Sequence, residues 1–385
     1  MHSVMKNPRV AWLLTSAFYY WQPPMASFSK LFPQTTIFTS RWHGFAPGLE
    51  DSFQVEIVGE RKIIQLSESA TGYGSNFTYL PLNIVNRLLR FKPQVIFSNS
   101  FGVWTVLSLL FKPIGRWRVV IAYEGSSPDV DYRNSPLRLA LRRLMVWAAD
   151  ACITNSHGGK DYLIDVLNAP ESEVFLQPYE VPSAQALLQS AEASAIAQLP
   201  HQRPIFIFVG SLKKRKGLHL LLEACAQLKQ QGCDQYTLLI VGSGSQQQEL
   251  EAFCQQHDLT NCVQWVGQVD YSQLGAYFKQ ADVFVLPTLE DTWGMVVLEA
   301  MALGKAILCS KFAGASELVI DDQNGYVFDP TDAAAVATVI RRFVDEPSLS
   351  VRMGQQSEQI MAQYTPEAAA EFLANVTEFV LQPQK

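Results

Sequence analysis

Two stretches of this sequence hold residue types that chemistry needs, at a usable spacing. In the first, Pro287 to Gly304, a short apolar run ends at a proline and meets the acidic pair Glu290 and Asp291. Gly294 then permits a close backbone approach, and a helix is expected from about Met295 to Leu303, stopped by Gly304. The N–H groups of a first helical turn, with the dipole behind them, form an anion site. Trp293, Gly294, Met295 and Val296 would surround it, and Glu299 falls one turn further in, where its carboxylate can look back to the same cleft. In the second stretch, Val209 to Gly217, Lys213, Lys214, Arg215 and Lys216 stand in a row between Gly210 and Gly217. Glycine lets a backbone approach a diphosphate, and lysine or arginine neutralises it. Each stretch also has a plainer reading, as a solvated acidic loop before a surface helix and as a solvated basic loop.

Both stretches follow strand-like runs, and that pattern says what must position them. In the second half the apolar runs are 204–209, 236–241, 263–266, 282–286 and 305–309, separated by helix-length segments. One such segment, 218–231, puts Leu218, Leu221, Leu222, Cys225 and Leu228 on a single face. The first half repeats this less cleanly, with strands at 10–15, 94–98, 118–122 and 151–154 and helices at 81–90, 102–111, 135–149 and 158–167. Continuous apolar strands between helices mean parallel sheets covered on both sides. The expected fold is therefore α/β, two Rossmann-like domains whose parallel sheets face a central cleft. The boundaries read as 1–180, a linker at 181–203 within the proline-bearing stretch Gln177 to Arg203, a second domain at 204–364, and a C-terminal helix at 365–385 that can cross back to the first domain.

Together the two stretches resemble the retaining glycosyltransferases of family 4, which have the GT-B architecture. The likeness is specific over about residues 200 to 330 and holds in outline before that. The family's diphosphate-binding turn is matched by Gly210, Lys216 and Gly217, with Ser211 where an arginine is usual and Lys213 or Arg215 as the substitute cation. Its two carboxylates, with seven residues between them, fall on Asp291 and Glu299, and Glu290 is one place out of register. The resemblance implies that Asp291 lies beside the donor sugar and that Glu299 holds the ribose. Gly242, in Val241 to Ser245, stands at the family's second glycine turn, and Val266 and Gly267 stand in the loop whose backbone contacts the base. Ala313 to Glu317 and Asn324 to Val327 match the segment that closes the domain.

The first half should hold the acceptor. After its first strand a glycine-rich loop is replaced by Phe18 to Pro24, where Tyr19, Tyr20 and Trp21 suit a sugar ring or lipid carrier, or simply pack on their own sheet. Glu124, where the family often has a histidine nearby, is suited to the transferred sugar or the acceptor hydroxyl, or to capping the next turn. Asp129 and Asp131 form a metal-binding DxD pair in outline, but no acidic or histidine partner surrounds them. Pro136 to Trp147 reads either as a helix lying on anionic lipid through Arg138, Arg142 and Arg143, or as a core helix with a solvated basic edge.

Composition limits the rest. Of 385 residues 48% are hydrophobic and 17% charged, which excludes a disordered chain, and a net charge of −6 argues against a general nucleic-acid binder. The longest apolar run, Val103 to Phe111, is far short of the roughly 20 residues a membrane span needs. The first apolar stretch, Val10 to Leu14, is too short for a signal peptide, and the six cysteines show no zinc-like spacing. A cytoplasmic compartment, at most the inner face of the membrane, is expected.

The resemblance implies a metal-independent glycosyltransferase of hexosyl type, with no cofactor expected beyond a nucleotide-diphospho-sugar donor. The acceptor would be a glycan or lipid-linked sugar of polysaccharide or glycolipid assembly, and anionic membrane a peripheral contact. Two rivals remain on the same scaffold: a nucleotide-sugar epimerase and a non-catalytic sugar-nucleotide-binding subunit.

Overall fold

The computed structural model describes residues 7–16, 18–67, 73, 75–189 and 202–382. By their contacts they form two units, one of 7–16, 18–67, 75–181 and 364–382, the other of 73, 182–189 and 202–363.

The first unit is built on a seven-stranded parallel sheet. Its strands are β1 (Val10–Leu14), β2 (Thr35–Thr39), β3 (Gln54–Ile57), β6 (Val95–Asn99), β7 (Arg118–Tyr123), β8 (Ala151–Thr154) and β9 (Val174–Leu176), while β4 (Lys62–Ser67) and β5 (Ser75–Tyr79) form a separate antiparallel pair. The order is β3-β2-β1-β6-β7-β8-β9. All five residues of β1 and of β2 are buried, as strands covered by helices on both faces must be. β2 was hidden from sequence reading because its threonines broke the apolar run, and β3 because its residues are only half buried. The helix Pro366–Leu381 packs on Gln22–Leu31 within this unit, and Ser27 Oγ donates to Glu367 at 3.1 Å. In the helix Pro136–Ala148 both readings of Arg142 as an exposed cation are corrected: it is buried, donating to Tyr162 Oη at 2.8 Å, while Leu137, Leu141 and Leu144 face solvent.

The second unit has a six-stranded parallel sheet ordered β12-β11-β10-β13-β14-β15. Its strands are β10 (Ile205–Val209), β11 (Thr237–Val241), β12 (Val263–Gly267), β13 (Val283–Leu286), β14 (Ala306–Ser310) and β15 (Gly325–Phe328). Leu218–Gln230 buries the expected face, Leu218, Leu221, Leu222, Cys225 and Leu228, against the sheet and against Ala333–Asp345. Ala184–Gln189, inside the stretch read as linker, is helical and packs on Tyr271–Gln280; residues 190–201 of that stretch lie outside the described residues.

Strand order decides where this unit opens. β10 pairs with β11 on one side and with β13 on the other, Phe206 opposite Val283 and Ile207 opposite Phe284. The chain therefore leaves β10 and β13 in divergent directions at their carboxyl ends, the place where such sheets bind ligands.

Candidate functional site

The loops after β10, β11 and β12 are stitched together by main-chain hydrogen bonds. Gly210 N donates to Val241 O at 3.0 Å, Leu212 N to Ser243 O at 3.0 Å and Gly242 N to Gly267 O at 2.8 Å. Gly242 has φ +138°, and a β-carbon there would lie 1.9 Å from Gly210 O, so only glycine lets the loops close this far. Between them lies a cavity of about 400 Å³ lined by Gly210, Ser211, Gly242, Ser243, Val269 and Tyr271 among others. Val266 and Gly267 lead into this wall, and Gln268 and Val269 line it.

The basic turn is fixed by a second close approach. Gly217 has φ +67°, and a β-carbon on it would lie 1.9 Å from Pro287 O. That contact presses the turn after β10 onto the end of β13, where Leu289 N donates to Arg215 O at 2.8 Å and Thr288 Oγ1 to the same oxygen at 3.1 Å. The four cations separate by direction: Lys213 and Lys214 face solvent, while Arg215 and Lys216 turn to the acidic loop. Lys216 Nζ is ion-paired with the Asp291 carboxylate, Arg215 stands 3.9 Å from it, and the Lys216 stem runs beside Gly210. Arg215, and not Lys213, thus accompanies Lys216.

Asp291 is only 7% exposed. Burial by itself raises a carboxyl pKa, but Lys216 and Arg215 more than reverse this and hold it below the ordinary value, so it stays ionised. Tyr73, which clusters with this unit, donates from its hydroxyl to Asp291 Oδ1 at 3.3 Å and from its main-chain N–H to Glu290 Oε2 at 3.1 Å; its ring lies under Arg215, 3.9 Å from the guanidinium carbon. The carboxylate of Glu290 therefore serves Tyr73, and Asp291 is the acid that meets the cations.

Glu299 is buried behind the cavity wall, on the helix Met295–Ala302. Tyr271, at the start of Tyr271–Gln280, lines the cavity and donates from its hydroxyl to Glu299 Oε1 at 3.0 Å. Burial pushes the Glu299 carboxyl up to about 7, against the opposing effect of this hydrogen bond. Sequence reading missed Tyr271, and its place one residue after Asp270 at a helix start carried no signal for a partner 28 residues away. Around Gly294, Met295 and Val296 are half-buried at the open first turn. Trp293 corrects the expectation: its side chain is 2% exposed and its carbonyl accepts from Ala315 N at 2.7 Å, so it is core.

In the first unit the aromatic loop divides. Tyr19 and Tyr20 are half-buried, Tyr19 Oη donating to His43 O at 3.1 Å and Tyr20 stacking on Phe18. Trp21 is also a correction, since it is 1% exposed and its ring packs 5.7 Å from Trp12 and 5.8 Å from Tyr179. An apolar residue next to a buried strand is drawn inward, so it is removed from the candidate acceptor residues. Glu124 follows β7, and Asn99, ending β6, donates to its Oε1 at 3.0 Å. Asn155, after β8, donates to Glu124 O at 3.1 Å and to Glu180 Oε2 at 3.0 Å. Burial, then the charge of Glu124, push the Glu180 carboxyl well up. Glu124, Asn99, Asn155 and Glu180 thus form one polar cluster at the strand ends. The Asp131 carboxylate is taken up by Tyr123, Ser126 at 2.6 Å and Arg133 at 2.9 Å.

Residues 189–360 match the family model described as glycosyl transferases group 1. The chain is 28% identical over 221 residues to a glycogen synthase of Mycobacterium tuberculosis, which takes in 57% of this chain and 51% of that one. It thus spans about half the length of the curated relatives it matches. In structure it is similar to the sucrose-phosphate synthase of Thermosynechococcus elongatus, with a TM-score of 0.69, 21% identity, and 96% of this chain and 98% of that chain covered. A second similar structure is Anabaena HepE in complex with UDP and glucose, with a TM-score of 0.69, 17% identity, and 96% and 99% covered. The fold is the two-domain α/β architecture of the GT-B glycosyltransferases, and residues 189–360 are similar to the group 1 glycosyl transferases.

Proposed function

We propose that this chain is a retaining glycosyltransferase of the family 4 kind that moves a hexosyl group from a nucleoside-diphosphate sugar to a glycan or lipid-linked acceptor, without a metal ion. The observation that carries the reading is the convergence of Lys216, Arg215 and Asp291 beside the cavity that Tyr271 and Glu299 back. The nucleoside enters the cavity, its base against the main chain of Gln268 and Val269 and its ribose toward Tyr271 and Glu299. The diphosphate meets Lys216, Arg215 and the helix start at Gly294 to Val296.

When the glycosidic bond breaks, charge grows on the diphosphate, and cations fixed there stabilise the transition state more than the ground state. Lys216 then exchanges part of its contact with Asp291 for a phosphate oxygen. Asp291 remains ionised and steadies the oxocarbenium-like sugar. It is no proton donor at neutral pH. The acceptor hydroxyl attacks on the face the diphosphate leaves, which gives retention, and its proton passes to the departing phosphate oxygen; Glu124, braced by Asn99, is the acceptor-side carboxylate. The paired cations do the neutralising that a divalent metal does in other transferases, which is the support for metal independence.

The test is a thermal-shift and product screen over a panel of nucleoside-diphosphate sugars, with acceptor sugars added and the anomeric configuration of the product read by NMR. Stabilisation by none of them removes the donor reading. Altered donor sugar without an acceptor product points to the epimerase, and binding with no turnover to a non-catalytic subunit.

A further inference from the structure

The helix Pro136–Ala148 of the first unit presents its apolar side to solvent. Leu137 is 82% exposed, Leu141 48%, Leu144 57% and Trp147 80%. At 3.6 residues per turn these four, with Ala140 and Ala148 between them, cover an arc of roughly 120° along about 15 Å of helix. Met145, Val146 and Arg142 occupy the side that faces the core. A helix on a protein surface ordinarily does the reverse, so this face lacks the cover its residue types demand.

The charged residues that the helix itself places along the edges of the stripe are all cationic. Arg143 stands on one edge, its Nε donating to Val166 O at 2.9 Å; Arg138 stands on the other, its guanidinium carbon 4.0 Å from the Tyr132 ring centroid. The helix contains no acidic residue. Beyond its end, Lys112 Nζ donates to Ala148 O at 2.9 Å, which sets Lys112–Gly115, with Ile114 67% exposed, beside it.

We propose that this face seats on an anionic lipid surface, with Leu137, Leu141, Leu144 and Trp147 in the boundary between acyl chains and headgroups and Arg138 and Arg143 at the level of the lipid phosphates. An in-plane amphipathic helix binds by apolar burial plus attraction to anionic lipid, and both are present here. A second copy laid on the same stripe would bring arginine against arginine, because both edges are cationic; lipid phosphate has the complementary charge. Among the described residues no helix is long and apolar enough to cross a membrane, so the contact lies in the plane of the surface. The proposal stands apart from the donor reading, since it is read with no sugar nucleotide present.

The experiment is flotation of the full chain with vesicles of phosphatidylcholine containing phosphatidylglycerol, against phosphatidylcholine alone. The parent should float with the anionic vesicles and at least about tenfold less with the neutral ones. A variant carrying Leu141→Ser, Leu144→Ser and Trp147→Ser, all at exposed positions, should lose flotation by at least about tenfold while its thermal unfolding stays unchanged. A variant carrying Arg138→Gln and Arg143→Gln should keep weak binding and lose the preference for anionic lipid. Failure of the parent to float overturns the proposal, and so does undiminished flotation of the triple serine variant. A parent that is dimeric without vesicles, and monomeric once the three serines are in place, overturns it too and assigns the stripe to a second copy.

Discussion

Individual residues in the candidate donor site are set against one another in ways that give signed predictions. Glu299 has its carboxyl pushed up to about 7 by burial. Its unfolded value is lower, so between the two the folded state binds more protons, and its contribution makes stability fall as pH rises through that window, levelling above about 7. In the proposed reading the ribose meets the ionised form, so affinity for a nucleoside diphosphate should increase from pH 6 to pH 8, and Glu299→Gln should flatten the slope in calorimetric titrations. Tyr271→Phe removes the hydrogen bond that opposes the upward shift, so the midpoint should move to higher pH. An unmoved midpoint would falsify the coupling. In the proposed reading Asp291, ion-paired with Lys216, competes with the diphosphate for that cation. Asp291→Asn should therefore bind nucleoside diphosphate more tightly than the parent while turning over more slowly. Lys216→Ala should weaken that binding, slow turnover and lower stability by about 1.5–3 kcal/mol, the loss of one charge-assisted contact, since Arg215 and the Tyr73 hydroxyl still meet the Asp291 carboxylate. A chain with Asp291→Asn that binds less tightly would place Asp291 on the ligand's side of the site and not in competition with it.

At the scale of elements, the site depends on loops closing on strand ends, and glycines set how closely. Gly217 holds the turn after β10 against the end of β13 with a positive φ and no room for a β-carbon. Gly217→Ala should lose about 1–3 kcal/mol from the backbone conformation alone. It should also reduce diphosphate binding several-fold, because Arg215 and Lys216 move off the acidic loop together. Denaturant unfolding and titration with nucleoside diphosphate check the two effects separately. If stability falls with binding intact, the turn matters for folding and not for placing the cations. In the first unit, the arginines, leucines and tryptophan of Pro136–Ala148 show the converse, an element whose fold is ordinary and whose exposed side is not.

For the whole molecule, a ligand bound only by the folded state stabilises it by mass action, about 2.7 kcal/mol at a hundred times Kd. With Lys216 and Arg215 neutralising the diphosphate, a nucleoside diphosphate should raise the thermal midpoint by several degrees, and EDTA should leave both that shift and turnover intact. Turnover lost in EDTA and restored by Mn²⁺ would mean that the two cations do not suffice.

The sequence by itself determined the class of fold, since buried parallel strands must read as unbroken apolar runs, and β10, β11, β13 and β14 do. It also picked out the basic turn and the acidic loop, because their residue types are short-range signals. It could not show that Arg215 and not Lys213 turns inward, nor that Tyr271 reaches Glu299, since both depend on which loops become neighbours. It put Trp21 and Trp293 in the site because residue type alone does not tell a ligand-facing ring from a buried one. The pairing of β10 with β13 was the decisive fact: strand order is fixed by contacts between residues about 75 apart, Phe206 to Val283 among them, and no local pattern records it.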